Sequence, residues 1–187
     1  AQRRAGSRRG GSVKVARLEA DRAALLVVDI QEAFRGVIPD ADAITARTQI
    51  LARAATLLGL PIIVSEQYPK GLGKTVVELD EVLAGATVLE KTSFSAAHAE
   101  GFSLAGRDQV IVCGTETHIC VAQSVLDLLA ADAEVWLACD ALGSRSPDDR
   151  ALAIQRLALA GAVPSSTESI CFELMKDAKN PHFKEIQ

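Results

Sequence analysis

Three residues of different chemistry each follow a short apolar run: Asp29 after ALLVV, Lys91 after ATVLE, and Cys120 a few residues past QVIVCG. Singly, each has an ordinary role. Aspartate caps helices and shapes turns, lysine is solvated on loops, and cysteine is a small buried hydrophobe. Together they supply a proton carrier, an electrostatic stabiliser and a nucleophile. A cysteine in the opening turn of a helix meets unpaired N–H groups and positive potential, which favour thiolate over thiol; a nearby lysine adds to that effect. The aspartate can take the thiol proton and later return it to a leaving group. Backbone N–H groups beside the cysteine can hold an oxyanion.

The elements that must position these groups are legible as alternating patterns. Segments 24–30, 61–66, 86–91, 109–114 and 134–140 are continuous β-branched apolar runs, the mark of strands buried on both faces, and 162–166 is a weaker sixth. Helical spacing recurs over 42–58, where Gly59 and Pro61 supply the stop, and over 117–131. Ser146-Pro147-Asp148-Asp149 combines an N-cap, a first-turn proline and first-turn acids, and Gly161 closes that helix. Alternation of this kind predicts a three-layer αβα sandwich, Rossmann-like, with a mainly parallel, about six-stranded sheet. Ligands of such sheets bind outside the carboxyl ends of the strands, where the three residues fall.

Composition bounds the reading. The chain has 187 residues, 49% hydrophobic and 24% charged, which suits one domain over 18–187 behind a basic arm over 1–17 that is expected to be flexible. Residues 18–187 hold 14 basic against 24 acidic side chains, a net of −10, which argues against nucleic acid as partner. The longest apolar run is six residues, Ala23 to Val28, far below the ~18 that span a bilayer, so neither a membrane segment nor a signal peptide is expected. Cys113, Cys120, Cys139 and Cys171 follow no metal-finger spacing, and free thiols in the cytoplasm are expected.

The blocks LLVVDIQEAF (25–34), EKTSFSA (90–96), VIVCGTETHICVAQSVLDLL (110–129) and CDALGSRS (139–146) resemble the isochorismatase-like cysteine hydrolases. That family includes nicotinamidases and N-carbamoyl amide hydrolases. SEQYPKGLGKTV (65–76) and NPHFKEIQ (180–187) look closest to its small isochorismatase domain-containing subgroup. The resemblance implies a catalytic triad of Asp29, Lys91 and Cys120. It also implies an oxyanion hole from the Glu116 and Cys120 N–H groups, and a cis peptide between Thr115 and Glu116. The implied reaction is hydrolysis of a small amide-like or carbamoyl-like C–N bond, with no cofactor, in a homo-oligomer.

Departures sharpen the expectation. Where metal-dependent relatives carry an Asp-x-His pattern, this chain has Ser65-Glu66-Gln67-Tyr68-Pro69, so no catalytic metal is expected. Isochorismatases proper lack the cysteine. The Glu116 side chain either narrows the pocket or points away. Phe34, Gln67, Tyr68, Phe94 and His118 are candidate pocket walls, and KGLGK (70–74) reads as a mobile loop or a surface turn. A His118–Cys120 dyad is disfavoured, because residues two apart in a helical turn point in different directions. The rival readings are a catalytically silent binding or scaffold protein and a nucleotide-binding domain. The latter lacks the glycine fingerprint after the first strand.

Overall fold

The computed structural model describes residues 17–187; all but one position of the expected arm lies outside them. The apolar runs form β1 (Ala23–Val28), β2 (Ile62–Gln67), β3 (Thr87–Lys91), β4 (Gln109–Thr115), β5 (Glu134–Gly143) and β6 (Val163–Ser165). They pair in the order β3-β2-β1-β4-β5-β6, every pairing parallel. The helices are α1 (Ala41–Leu57), α2 (Pro69–Leu72), α3 (Ala122–Ala130), α4 (Pro147–Ala160), α5 (Thr167–Met175) and α6 (Phe183–Ile186). The α/β sandwich expected from the alternation is the architecture that forms.

β1 explains the continuous apolar pattern. Ala23, Leu25 and Val27 pack into a core with Ile44, Leu51 and Ile170 of α1 and α5. Ala24, Leu26 and Val28 face the opposite core, with Val125 of α3 and Leu157 of α4. Successive side chains of a strand point to opposite faces, so a strand covered on both sides has no polar position to spare.

Sheet order places the site. The chain winds outward from β1 to β3, then returns to the other side of β1 with β4 and winds out to β6. The carboxyl ends of β1 and β4 therefore flank the point where the winding reverses, the crevice where such sheets take ligands.

Two elements differ from expectation, the helix after β4 and the length of β5. Residues 117–131 are not one regular helix: a π-helical turn, Thr117–Val121, precedes α3, with the Val121 N–H donating to Glu116 O five residues back at 3.2 Å. The KGLGK segment has the surface-turn form of its two readings: it includes the last three residues of α2, and the Gln31 carboxamide donates to Gly73 O at 2.6 Å. β5 also runs three residues further than expected. It carries a register shift opposite Val112 and Gly114, and Arg150 fills the resulting bulge by donating to the carbonyls of Cys139 and Leu142.

Candidate active site

Asp29 is the residue at which β1 ends. Its φ of 48° lies in the left-handed region that aspartate tolerates better than most side chains. The turn is held on both sides: its N–H donates to Ser65 O at 3.0 Å, and its carbonyl accepts from Thr115 Oγ1 at 2.7 Å. The carboxylate is fully buried, with Oδ1 accepting from Ser65 Oγ and Oδ2 from Lys91 Nζ, both at 2.7 Å.

Lys91 closes β3, with β2 lying between it and β1. Its side chain has no exposure, and its ammonium is caged by Asp29 Oδ2 and Gln67 Oε1 at 2.7 Å and by the carbonyls of Phe94 at 3.1 Å and Ser93 at 3.3 Å. Gln67, the last residue of β2, is in turn fixed by donating from Nε2 to Thr92 O at 2.9 Å.

Cys120 reaches the same point from beyond β4. Its sulfur lies 4.0 Å from Gln67 Oε1, and the residue is 6% exposed. Burial pushes its thiol up to about 12; the Asp29 charge pushes the same way and the Lys91 ammonium opposes. Desolvation thus acts against the expected thiolate, in the direction that keeps the proton on the sulfur. Helix-end potential and lysine favour the anion, but desolvation by the surrounding core outweighs them. Burial also raises the Asp29 carboxyl, against the opposing effects of Lys91, Ser65 and the Cys120 thiol. The arrangement is a protonated thiol facing a basic, desolvated carboxylate.

The backbone leading to Cys120 is tightly constrained. Gly114 has φ 116°, and a Cβ there would lie 2.0 Å from Val28 O, so β4 approaches β1 as only glycine allows. The next peptide, Thr115–Glu116, is cis. Beyond it Ser124 Oγ donates to Cys120 O at 2.6 Å and accepts from Ala96 N–H at 2.8 Å, tying the segment after Lys91 to the cysteine's turn.

The candidate pocket residues divide. The Glu116 side chain turns to the loop after β5, where its carboxylate accepts from Arg145 N–H at 3.0 Å. His118 also faces that loop, with Nδ1 3.0 Å from Ser144 Oγ and Nε2 3.9 Å from Asp149 Oδ2. Phe34 is half-buried and lines a small cavity with Ile30, Gln31 and Thr115. Tyr68 and Phe94 are 54% and 52% exposed. Tyr68 joins Lys91, Thr92, Ser93 and His98 around a cleft of about 440 Å³, within the size range of small-molecule sites. Among the described residues, no group of three or more His, Cys, Asp or Glu side chains is placed to hold a metal.

Ser65, Gln31, Thr115 and Ser124 were not singled out by their side chains from sequence. Gln31 pins Gln67 through both backbone groups, at 2.8 and 3.0 Å. The available signal was a polar residue inside or beside a buried apolar run.

An αβα sheet with an acid, a base and a thiol at its winding reversal defines a class, and similarity agrees. The chain belongs to the isochorismatase-domain family, whose model matches residues 23–169. Isochorismatase domain-containing protein 1 of Salmo salar is 46% identical over 164 residues, 85% of this chain and 57% of that protein; the chain thus spans little more than half of that relative. MAR1 ribonuclease from Caenorhabditis elegans superposes with TM-score 0.87 at 38% identity, covering 92% of this chain and 91% of that one. YcaC from Pseudomonas aeruginosa, solved with hexane-2,5-diol and covalent acrylamide, gives TM-score 0.87 at 30% identity over 94% and 92%. YcaC from Escherichia coli, described as an octameric hydrolase of unknown specificity, gives 0.82 at 28% over 88% and 84%.

Proposed function

We propose that the chain is a cysteine hydrolase that cleaves a small amide-like or carbamoyl-like C–N bond through a thioester on Cys120. One observation carries the reading: the ends of β1 and β3 and the turn after β4 bring Asp29, Lys91 and Cys120 to one buried point, with Asp29 and Lys91 2.7 Å apart and the sulfur 4.0 Å from the Gln67 oxygen that also holds Lys91.

A thiol held near 12 does not ionise ahead of the reaction, so Asp29 takes its proton as sulfur attacks the substrate carbonyl carbon. The Glu116 and Cys120 N–H groups hold the oxyanion, and Lys91 balances the charge that shifts between carboxylate and sulfur. On collapse, protonated Asp29 gives its proton to the departing amine. Water then attacks the thioester, with Asp29 accepting its proton. The sulfur leaves and regains a proton, and the acid or carbamate is released.

A homo-oligomer is proposed on the likeness to the octameric E. coli protein. The cytoplasm is proposed as location, consistent with four unpaired cysteines; among the described residues no helix is long and apolar enough to cross a membrane. RNA is disfavoured as substrate despite the ribonuclease neighbour, because residues 18–187 carry 14 basic against 24 acidic side chains and would repel a polyanion. The 6% exposure of Cys120 favours a second reading, a silent scaffold whose sulfur substrates do not reach.

The test is a panel of primary amides and N-carbamoyl compounds assayed for ammonia release, with an RNA arm. Turnover of a small amide or carbamoyl compound, lost in Cys120→Ala, is expected. Turnover retained in Cys120→Ala would falsify the mechanism, and cleavage of RNA alone would replace the substrate class.

A further inference from the structure

We propose that the outer face of α4 is a self-complementary association surface, occupied by α4 of a second copy of this chain running antiparallel to it. The surface gives a place to the homo-oligomer proposed above and rests on that reading.

The inner face of α4 is buried through Ala153 and Leu157, and Leu157 lies in the core that also holds Cys120 and Val121. The outer face carries Leu152 at 64% and Leu159 at 83% exposure, the latter the most exposed large apolar side chain among the described residues. Leu152 stands four residues after Asp148 and four before Arg156, so the three form one ridge of the kind that packs between helices. Asp148 and Arg156 are exposed, and neither has an ion-pair or hydrogen-bond partner for its side chain among the described residues. Several other surface arginines are paired, as Arg22 with Asp108 and Arg35 with Glu78 at 2.7 and 2.5 Å.

An acid and a base equidistant from a leucine is the pattern a two-fold axis requires. An axis through Leu152 sets that side chain on the partner's Leu152, and Asp148 opposite the partner's Arg156, twice over. Leu159 extends the apolar strip two turns beyond Leu152, and Arg145 stands in the loop just ahead of α4. Arg145 holds the Glu116 carboxylate, so the surface adjoins the peptide that precedes the Cys120 turn. Stable dimers bury roughly 1,200–2,000 Å² in total, and this ridge would form the centre of such a surface.

The experiment is light-scattering mass across a dilution series of the full chain, for wild type, Leu152→Asp, Asp148→Arg, Arg156→Asp and the double charge exchange. Circular dichroism melts verify that each variant folds. Wild type is expected to be a multimer, and Leu152→Asp a smaller species. Each single charge reversal should dissociate at a concentration at least tenfold higher, and the double exchange should recover the wild-type mass. A multimeric wild type whose mass Leu152→Asp leaves unchanged, or a double exchange no better than the singles, overturns this surface while leaving the oligomer reading intact. A monomeric wild type at all concentrations overturns both.

Discussion

The Nζ of Lys91 lies 2.7 Å from Oδ2 of Asp29, and neither side chain has any exposure to solvent. Two opposite charges removed from water cost several kcal/mol each, a cost met only when every remaining lone pair and proton is satisfied. Here Ser65 and Gln67 complete the set. Breaking the pair therefore differs from replacing it. Lys91→Ala is expected to lose about 3–5 kcal/mol in urea unfolding, because the Asp29 carboxylate is left buried without its partner. Joint replacement by Asp29→Asn and Lys91→Met should be less destabilising than Lys91→Ala alone, with no turnover in either. A double variant that loses as much as the two single changes summed would contradict this coupling.

Ser65 tunes the base. Burial raises the Asp29 carboxyl above its ordinary 3.8, and the Ser65 hydroxyl bond pulls it down. The acid limb of kcat/KM therefore lies above the usual carboxylate range. In Ser65→Ala it should move to higher pH still, and a limb that stays in place or moves down would exclude Asp29 as the titrating base.

Alkaline pH should weaken the fold through its buried thiols. Burial pushes the Cys113 thiol from 9.0 up to about 12, with a bond from Thr48 opposing. The folded chain keeps that proton where the unfolded chain releases it. Stability from this group is thus complete below about pH 9 and is lost as pH rises toward 12, at up to about 1.4 kcal/mol per pH unit. Between pH 9.5 and 10.5, Cys113→Ala should flatten the fall in unfolding free energy by about that slope. Curves parallel to wild type would show that the thiol is not held protonated.

Gly114 marks where the sheet leaves no room. Its φ is 116°, and a Cβ would meet Val28 O at 2.0 Å. Gly114→Ala should cost at least about 4 kcal/mol or prevent folding. Gly85→Ala, where a Cβ meets nothing within 4 Å, should be close to neutral when the thermal melts of both variants are compared with wild type.

Much of this architecture was readable before coordinates, for a definite reason. Runs such as Ala23–Val28 and Val110–Val112 are apolar on both faces, and only strands in a doubly covered parallel sheet require that. Positions at the ends of such runs made Asp29 and Lys91 conspicuous. Ser65 was not, because its partner depends on register: β2 and β1 align Ser65 with Val28, next to Asp29, and no local pattern encodes that pairing. Ser124 escaped for the same reason, since its role is to join Ala96 to Cys120 across two segments. The forces on the thiol were only half legible, because helix-end potential and a lysine can be counted along a chain. Desolvation by Leu89, Ala96, Val121 and their neighbours exists only once they pack.

The measurement closest to the central claim is intact-mass and peptide mapping of the full chain, acid-quenched within seconds of mixing with whichever amide or carbamoyl compound it turns over. An acyl or carbamoyl increment confined to the peptide containing Cys120, present in wild type and missing in Asp29→Asn, is the expected result. An increment on Cys113, Cys139 or Cys171 alone, or rapid turnover with no increment under any quench, would contradict it.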